Sequence, residues 1–325
     1  MKDYTPKELT IPEVQRLLQG GIAPRPIALV STISTEGINN LSPFSFFNVF
    51  GSNPPVIAFS PSRRGKDSSF KDTYLNLMDT KECVVQSVTY AMVEQVNLAS
   101  TEYEKGLDEF IKSGLTPVDS DLVRPKRVKE SPFQMECKLL DMMSYGDKGA
   151  SANIAICEVI KFHVAEDLFV NGVIHPKKID LVARMSADFY CRANGNAIFE
   201  VEKPTKKKGI GYDQIPDFIR NSNVYSANNL GKLGNIESIP SEDSVTSYIK
   251  EVKELNSDEF EVSLSAFYRY QRDKNYTLML KYLLFTTELK SDHKKKLLED
   301  TVKIALESNQ TEAAWKIALF AGREK

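Results

Sequence analysis

Short apolar runs separated by turn residues dominate the chain up to about residue 200, and this pattern predicts β-strands. The alternation is clearest where Met135, Cys137 and Leu139 interleave with Glu136 and Lys138, which predicts a half-buried strand. Similar runs predict strands at 26–33, 40–47, 56–60, 82–88, 152–164 and 169–174. Strands at this spacing, with a few short helices between them, favour a small barrel.

After Ser241 the spacing of apolar residues changes to that of helices. Val245, Ile249 and Val252 lie on one predicted helix face, and similar patterns follow along the rest of the sequence. We expect three segments: a β-rich domain at 1–204, a linker or irregular segment at 205–240, and a helical domain of unknown role at 241–325. No convincing sequence repeat relates the helices, although a fragment of a paired-helix solenoid remains an alternative.

Composition narrows the possible partners. The 325 residues are 42% hydrophobic and 26% charged, which is typical of a soluble globular protein, and the net charge of −2 predicts no general attraction to nucleic acid or anionic membranes. The N-terminal residues lack the apolar core of a signal peptide, and no apolar run reaches the roughly 20 residues that span a bilayer. We therefore expect a cytoplasmic protein without a nucleic-acid or membrane partner.

Cysteine and histidine give no support for a metal centre. The four cysteines lie in apolar or β-like runs and form no CxxC pair, which is typical of buried thiols in a reducing compartment. The three histidines are equally scattered. The sequence therefore predicts no metal site, and nothing in it supports a catalytic triad.

A basic, hydroxyl-rich stretch at 60–73 suits a phosphate group. A phosphate ester carries almost two negative charges, and Arg or Lys together with hydroxyls and backbone amides hold it best. Lys71 and Thr73 lie at the start of a predicted helix, where free amides and the helix dipole favour an anion. The candidate contacts are Ser60, Arg64, Lys71 and Thr73. Taken alone, the stretch fits a solvated basic turn at least as well.

The preceding stretch offers surfaces for a flat ring. Backbone amides and one side-chain amide suit the polar edge of a ring, and two aromatic faces suit its apolar walls. The candidate contacts are Ser45, Phe46, Phe47 and Asn48. The alternative is that these are ordinary strand residues, but polar positions interleave with the phenylalanines between two β runs. No glycine-rich dinucleotide fingerprint and no P-loop accompanies them.

In order, these segments resemble the flavin reductase-like family with the FMN-binding split barrel. The resemblance rests on PRPIALVST, NNLSPFSFFNVFGSNPPVIAFS and FKDTYLNL, with further similarity in ECVVQSV, GLDEFIKSGLT and SPFQMECKL. It covers about residues 10–200 and implies an α+β fold, a split β-barrel with peripheral helices. The small all-α region that follows lies outside the family pattern.

The resemblance also implies a cofactor and an assembly. FMN would bind near the interface of a homodimer, with residues 45–48 along the isoalloxazine and ribityl chain. Ser60, Arg64, Lys71 and Thr73 match the phosphate side of the family. The phosphate loop is longer and more basic than the family pattern, so the choice among Arg63, Arg64 and Lys66 stays open.

Three functions remain possible from the sequence. The first is an NAD(P)H-dependent reductase that accepts hydride on FMN and needs no catalytic acid or base, with Arg184 and Tyr190 shaping the nicotinamide side. The second is an FMN-binding electron carrier or sensor whose helical region docks a protein partner. The third is a dimeric scaffold without a ligand. The sequence chooses neither NADH nor NADPH and does not reveal the electron acceptor.

Overall fold

The structure, a computed structural model, describes residues 1–104, 106–203 and 208–323. The chain divides into two units, Met1–Glu200 and Val201–Lys325, and each has its own hydrophobic core. The predicted boundary between residues 204 and 205 lies outside the described residues. No helix in the described ranges is long and apolar enough to cross a membrane.

The first unit combines strands with short helices. Its elements are α1 (Ile11–Gly21), β1 (Arg25–Pro26), β2 (Ala28–Ile33), β3 (Asn39–Phe44), β4 (Phe47–Ser52), β5 (Pro55–Phe59), α2 (Asp72–Thr80), β6 (Glu82–Gln86), α3 (Val93–Leu98), α4 (Glu109–Ser113), β7 (Pro117–Val118), β8 (Arg127–Val128), β9 (Phe133–Tyr145), β10 (Ala152–Val164), β11 (Phe169–Val170), β12 (Val173–Ile174), β13 (Val182–Arg184) and β14 (Tyr190–Arg192).

The main sheet is antiparallel, with the strand order β3-β2-β6-β9-β10-β5-β4. Its two edges, β3 and β4, are consecutive in the chain and are joined only by Ser45 and Phe46. A link this short forces the sheet to curl until its edges meet, which closes a barrel at that corner. Inside it, the Phe44 and Phe59 rings pack with centroids 5.5 Å apart, beside the buried thiols of Cys83 and Cys137.

Most predicted strands are present, and β10 has the predicted bounds of 152–164. The predicted strand at 40–47 is different: β3 ends at Phe44, the chain bends at Ser45 and Phe46, and β4 begins at Phe47. The bend is required because β3 pairs with β2, whereas β4 pairs with β5 at the opposite edge. The helix signal at Thr10 is confirmed, since the Glu13 carboxylate accepts the Thr10 amide at 2.8 Å.

The second unit is helical in its described part. It comprises α5 (Asp217–Arg220), α6 (Ala227–Gly234), α7 (Glu242–Glu254), α8 (Leu264–Arg272), α9 (Tyr276–Phe285), α10 (Ser291–Glu307) and α11 (Thr311–Ala321). Residues 208–240, expected to be irregular, contain α5 and α6 and bury Ile219 and Leu233 in the helical core. Helix α5 has only four residues and α6 is short and rich in Asn and Gly, so helical periodicity is hard to see in the sequence.

Two hairpins of this unit, α8–α9 and α10–α11, share one turn. Lys274 and Asn309 occupy the same left-handed position, with φ of 54° and 58°. The next residue in each turn donates its amide five positions back, at 2.8 Å to Tyr270 and at 2.9 Å to Ala305. The hairpins therefore form a structural repeat of about 35 residues. The sequence hides it because few residues recur: Lys281, Leu284 and Phe285 return as Lys316, Leu319 and Phe320.

Candidate functional site

The barrel corner brings the two predicted contact segments together. The Ser60 amide donates to the Phe46 carbonyl at 2.9 Å, so the predicted ring contacts lie beside the start of the predicted phosphate loop. The hydroxyls of Ser60 and Ser62 are 3.0 Å apart and half-buried. The two predicted contact segments thus meet where the neighbouring strands β4 and β5 pair, at one end of the barrel.

The four predicted ring contacts differ in their surroundings. Phe46 is 44% exposed, whereas Phe47 packs partly into the barrel core. Asn48 is exposed, and its side-chain oxygen accepts the amide of Val49 at 2.8 Å. Ser45 is half-buried, with its hydroxyl 3.5 Å from Nε of Arg25. This corner therefore offers one open aromatic face next to polar groups.

Sequence reasoning missed Arg25, which lies under this corner with only 5% of its surface exposed. Its guanidinium donates to the carbonyls of Gln19, Ile22 and Met185 at 2.7, 2.8 and 2.8 Å. Burial lowers the pKa of Arg25, and the nearby Arg184 lowers it further. A charged residue inside the apolar run PRPIALV was the available signal. Arg25 ties the end of α1 to the segment that follows β13.

The small sheet β1-β13-β14 holds Arg184 and Tyr190, the residues expected beside a nicotinamide. They are register partners on β13 and β14, and the Arg184 guanidinium lies 4.5 Å from the centroid of the Tyr190 ring. Arg184 is also the register partner of Arg25 on β1. The structure therefore places Arg184 on the strand next to Arg25 and Tyr190 one strand further from it.

The two arginines of the loop at 61–71 bind groups of the loop and of the first residue of α2. Arg64 donates to the Phe70 carbonyl and pairs with Asp72 at 3.0 Å. The guanidinium of Arg63 lies 3.8 Å from the Phe70 ring centroid, and its Nη1 donates to the Ser68 carbonyl at 2.9 Å. The Nε of Arg63 is buried without a hydrogen-bond partner among the described residues. Arg64 thus joins the loop to α2, and Arg63 retains one donor.

Lys71 stands at the start of α2 and is half-buried. No ion pair to its ammonium occurs in the described part of the chain, and burial lowers its pKa against a smaller opposing effect of Glu102. No side chain caps the helix, and the amides of Asp72 and Thr73 have no acceptor among the described residues. Free amides, the helix dipole and an unpaired ammonium make this helix start suitable for an anion.

Thr73 faces the opposite way from the loop surface. It is buried, and its hydroxyl donates to Oδ1 of Asn40 at 2.8 Å. The group that Thr73 presents at the helix start is therefore its backbone amide. Sequence position alone could not separate these two possibilities, because a threonine at the first turn suits either.

The turn between β9 and β10 forms hydrogen bonds that hold the loop at 61–71 in place. Arg63 donates its amide to the Ser151 carbonyl at 3.0 Å, and Ala150 returns a bond to the Arg63 carbonyl at 3.2 Å. Asn153, which is fully buried, donates to the Pro61 carbonyl at 3.2 Å. A Cβ on Gly149 would lie 2.7 Å from the carbonyl oxygen of Gly65. The loop is thus held on one side by α2 and on the other by this turn.

Among the described residues, one group of potential metal ligands lies within coordination range: Asp121, Glu136 and His163. The buried Glu136 carboxylate accepts the amides of Asp121 and Leu122 at 2.8 and 2.6 Å and lies 2.6 Å from Nε2 of His163. Asp121 pairs with Lys161. These ligand atoms are already used by the protein, so the group serves to anchor the segment at 121–123.

Comparison with known proteins places these features in context. The model of the flavin reductase like domain matches residues 21–178. An uncharacterized protein of Aquifex aeolicus is 34% identical over 200 residues, which are 61% of this chain and 100% of the relative. Component B of nitrilotriacetate monooxygenase from Bacillus cereus is 31% identical, with a TM-score of 0.58 over 62% of this chain and 98% of that one.

A more distant structure shares the fold alone. A Shewanella frigidimarina protein assigned as a flavin reductase with a split barrel domain is 23% identical, with a TM-score of 0.54. The alignment covers 62% of this chain and 100% of that one. The domain match ends at residue 178, so the helical unit that begins at Val201 lies outside it.

Proposed function

The chain belongs to the flavin reductase-like family, and from this premise we propose that it is an FMN-binding oxidoreductase. In this proposal it takes hydride from NADH or NADPH and passes the electrons to free flavin or another acceptor. The observation that carries the proposal is the start of α2, where an ammonium and amides, unpaired among the described residues, suit an anion. The loop at 61–71 connects this helix start to the barrel corner, where Ser60 binds the carbonyl of the exposed Phe46. These two groups of contacts suit the phosphate and the flat ring of one molecule.

The phosphate end fits the groups that the protein leaves without partners. Lys71 supplies an ammonium, and the amides of Asp72 and Thr73 supply directed donors. Ser60 and Ser62 add hydroxyls at the neighbouring strand end, and Nε of Arg63 adds a donor. Arg64 orders the loop by binding Asp72 and Phe70, which makes its contribution indirect. An ammonium with several neutral donors matches a phosphate monoester.

The ring end is assigned to residues 45–48. Phe46 offers an apolar face, and the backbone between β3 and β4 offers amides and carbonyls for the ring edge. FMN, when bound, supplies the hydride and electron chemistry. The protein orients the cofactor and leaves one ring face open to a nicotinamide near Arg184 and Tyr190. No side chain is assigned as a catalytic acid or base.

A homodimer is part of the proposal. Helix α1 is amphipathic, yet none of its residues is buried within the chain. On β4, Val49 and Phe50 are 66% and 70% exposed, immediately after the ring segment. Apolar surface of this extent next to the proposed cofactor suits a partner protomer. Mass measurement of the purified protein by light scattering tests this, and a monomer at micromolar concentration rejects it.

The central experiment is a flavin titration of the purified protein followed by anaerobic mixing with NADH or NADPH. We expect tight binding of FMN, with a shifted absorption band, and rapid bleaching by one of the two nucleotides. A protein that takes up no added FMN rejects the proposed function and favours the ligand-free scaffold.

The second candidate is an FMN-binding electron carrier without direct NAD(P)H turnover. The repeated helix hairpins of the second unit favour it, because paired-helix repeats present extended surfaces to protein partners. In stopped-flow mixing, an FMN-loaded protein that neither nucleotide bleaches within seconds supports this candidate. Bleaching within milliseconds rejects it.

A further inference from the structure

A chain of buried polar side chains connects α2 with β3 and α4. Thr73 donates to Oδ1 of Asn40 at 2.8 Å, and Thr32 donates to the same oxygen at 3.1 Å. Asn76 donates to the Thr32 hydroxyl at 3.0 Å. At the other end, Nδ2 of Asn40 donates to Glu109 at 3.2 Å.

The direction of these bonds fixes the Asn40 amide. Its oxygen accepts from two hydroxyls, and its nitrogen faces a carboxylate that also accepts the Leu41 amide at 3.0 Å. A flipped amide would direct Nδ2 toward two donors and Oδ1 toward an acidic side chain, which costs both sets of bonds. Asn40 and Glu109 therefore hold Thr73 from one defined side.

Hydrogen bonds help to set the position of the helix start on this face. A cavity of about 70 Å³ lies there, lined by Asn40, Asp72, Asn76 and Glu109 among others. On the side of this cavity the first turn is held mainly by hydrogen bonds, whereas on its other sides Leu77 packs into the barrel core and Tyr74 stacks on Phe70. The bonds to Thr73 and Asn76, one turn apart on α2, fix the rotation of the helix about its axis.

We propose that Asn40 and Glu109 are positioning residues for phosphate recognition, acting through Thr73 on the first turn of α2. This inference rests on the proposed function, since it concerns the phosphate end of FMN. The bonds aim the amides of Asp72 and Thr73, and with them Lys71, at the phosphate. Without these bonds the first turn would keep its charge but lose part of the direction of its donors, so the phosphate would lose affinity and the ring would not.

The test compares binding of FMN with binding of riboflavin, which has the same ring system but no phosphate. Thr73→Val keeps the shape of the side chain and removes its hydroxyl, and Asn40→Leu removes the amide. We expect each change to weaken FMN binding about tenfold, as loss of a directed bond to a charged group does, and riboflavin binding by less than about twofold. Thr73→Ser restores the hydroxyl and should restore the FMN preference.

Two further variants separate positioning from general destabilisation. Glu136→Gln perturbs a buried carboxylate elsewhere in the barrel and should leave the ratio of FMN to riboflavin affinity unchanged. In the double variant Lys71→Met with Thr73→Val, the loss of FMN affinity should be smaller than the two single losses combined, because both act on one contact. If Thr73→Val and Asn40→Leu keep the wild-type preference for FMN over riboflavin, this inference is overturned while the proposed function stands. A wild-type protein that binds neither flavin overturns the proposed function, and this inference with it.

Discussion

Gly149 lies against Gly65 so closely that a Cβ at Gly149 would be 2.7 Å from the Gly65 carbonyl oxygen. The contact joins the turn between β9 and β10 to the proposed phosphate loop. Only one of the two glycines is sterically restricted, because a Cβ on Gly65 would point into open space. This asymmetry provides a matched pair of substitutions.

Gly149→Ala should displace the loop, because the new methyl group meets backbone rather than a flexible side chain. We expect a loss of about 1–3 kcal/mol in the free energy of unfolding and weaker FMN binding. Gly65→Ala changes the partner glycine without a clash and should leave FMN affinity within about twofold. Chemical denaturation and FMN titration measure both effects. Equal FMN affinities for the two variants would contradict the role assigned to this contact.

Lys71→Met should weaken FMN binding by about 10- to 100-fold, since hydrogen bonds to a charged group contribute roughly 1.5–3 kcal/mol. Without FMN the variant should be at least as stable as the wild type, because it no longer buries an unpaired charge. Burial lowers the pKa of Lys71, so in the wild type the folded ligand-free state gains stability as pH rises through that lowered value. Lys66→Met, on the exposed part of the loop, is the control, and an equal loss there would refute the assignment.

Arg25→Lys should affect both flavins equally. Lysine keeps the charge, but its single nitrogen cannot occupy the positions of both Nη1 and Nη2, from which Arg25 donates to Gln19, Ile22 and Met185. We therefore expect a loss of about 2–3 kcal/mol in the free energy of unfolding. Because Arg25 lies under Ser45 at the ring end, FMN and riboflavin should lose affinity to the same extent. A selective loss of FMN binding would place Arg25 at the phosphate end instead.

Glu136→Gln should destabilise the protein by about 2 kcal/mol at pH 7, because a side-chain NH₂ would face backbone amides that need an acceptor. Burial alone would raise the pKa of Glu136, but the bonds from the Asp121 amide and His163 outweigh it and lower the pKa. The stabilisation from the ionised Glu136 carboxylate is therefore present above the pKa of about 4.3 that a glutamate has in the unfolded chain. It is lost as pH falls through the lower pKa that Glu136 has in the folded protein. Urea denaturation at several pH values should show a smaller difference from wild type in acid. Glu166→Gln, an exposed position, should show none.

Lys281→Met should weaken the helical unit by about 1–3 kcal/mol. The buried Lys281 ammonium donates to the Leu255 carbonyl at the end of α7 and lies 4.7 Å from the Phe260 ring centroid. Trp315, the single tryptophan, is fully buried in this unit, so its fluorescence reports unfolding there. Lys316→Met, at the equivalent repeat position, should cost less. Among the residues that the structure describes, Lys316 pairs with the exposed Glu312 and lies 5.4 Å from the centroid of the Tyr248 ring. The opposite order would contradict the assignment.

Local sequence patterns predicted the elements whose bounds are set by neighbouring residues in the chain. β10 has its predicted bounds because its alternation runs through the whole strand, and α1 begins at its predicted cap. The bend at Ser45 and Phe46 was missed, since three phenylalanines in four positions resemble one continuous strand. Whether that stretch crosses between sheet edges depends on pairing with β5, which lies outside any local window.

The candidate site shows the same division. The basic loop and the helix start were visible as residue types, and their role as flavin contacts stays a prediction. Their partners were not visible: Arg64 turns to Phe70 and Asp72, and Thr73 turns inward to Asn40. Arg25 and Glu136 were missed as organising residues because most of their partners are backbone groups, which every residue possesses. The sequence gives the chemical type of each side chain, whereas the direction in which a side chain points depends on contacts between distant segments.

The two-residue link between β3 and β4 makes the proposed ring contacts the hinge of the barrel. A fluctuation that separates the two sheet edges must change the backbone conformation at Ser45 and Phe46, because only these two residues connect β3 to β4. A ligand bound to these two residues opposes the same motion, so ligand binding also stabilises the closed barrel. The amides of β3 and β4 should then exchange with solvent more slowly when the ring is in place, even where they touch nothing of the ligand.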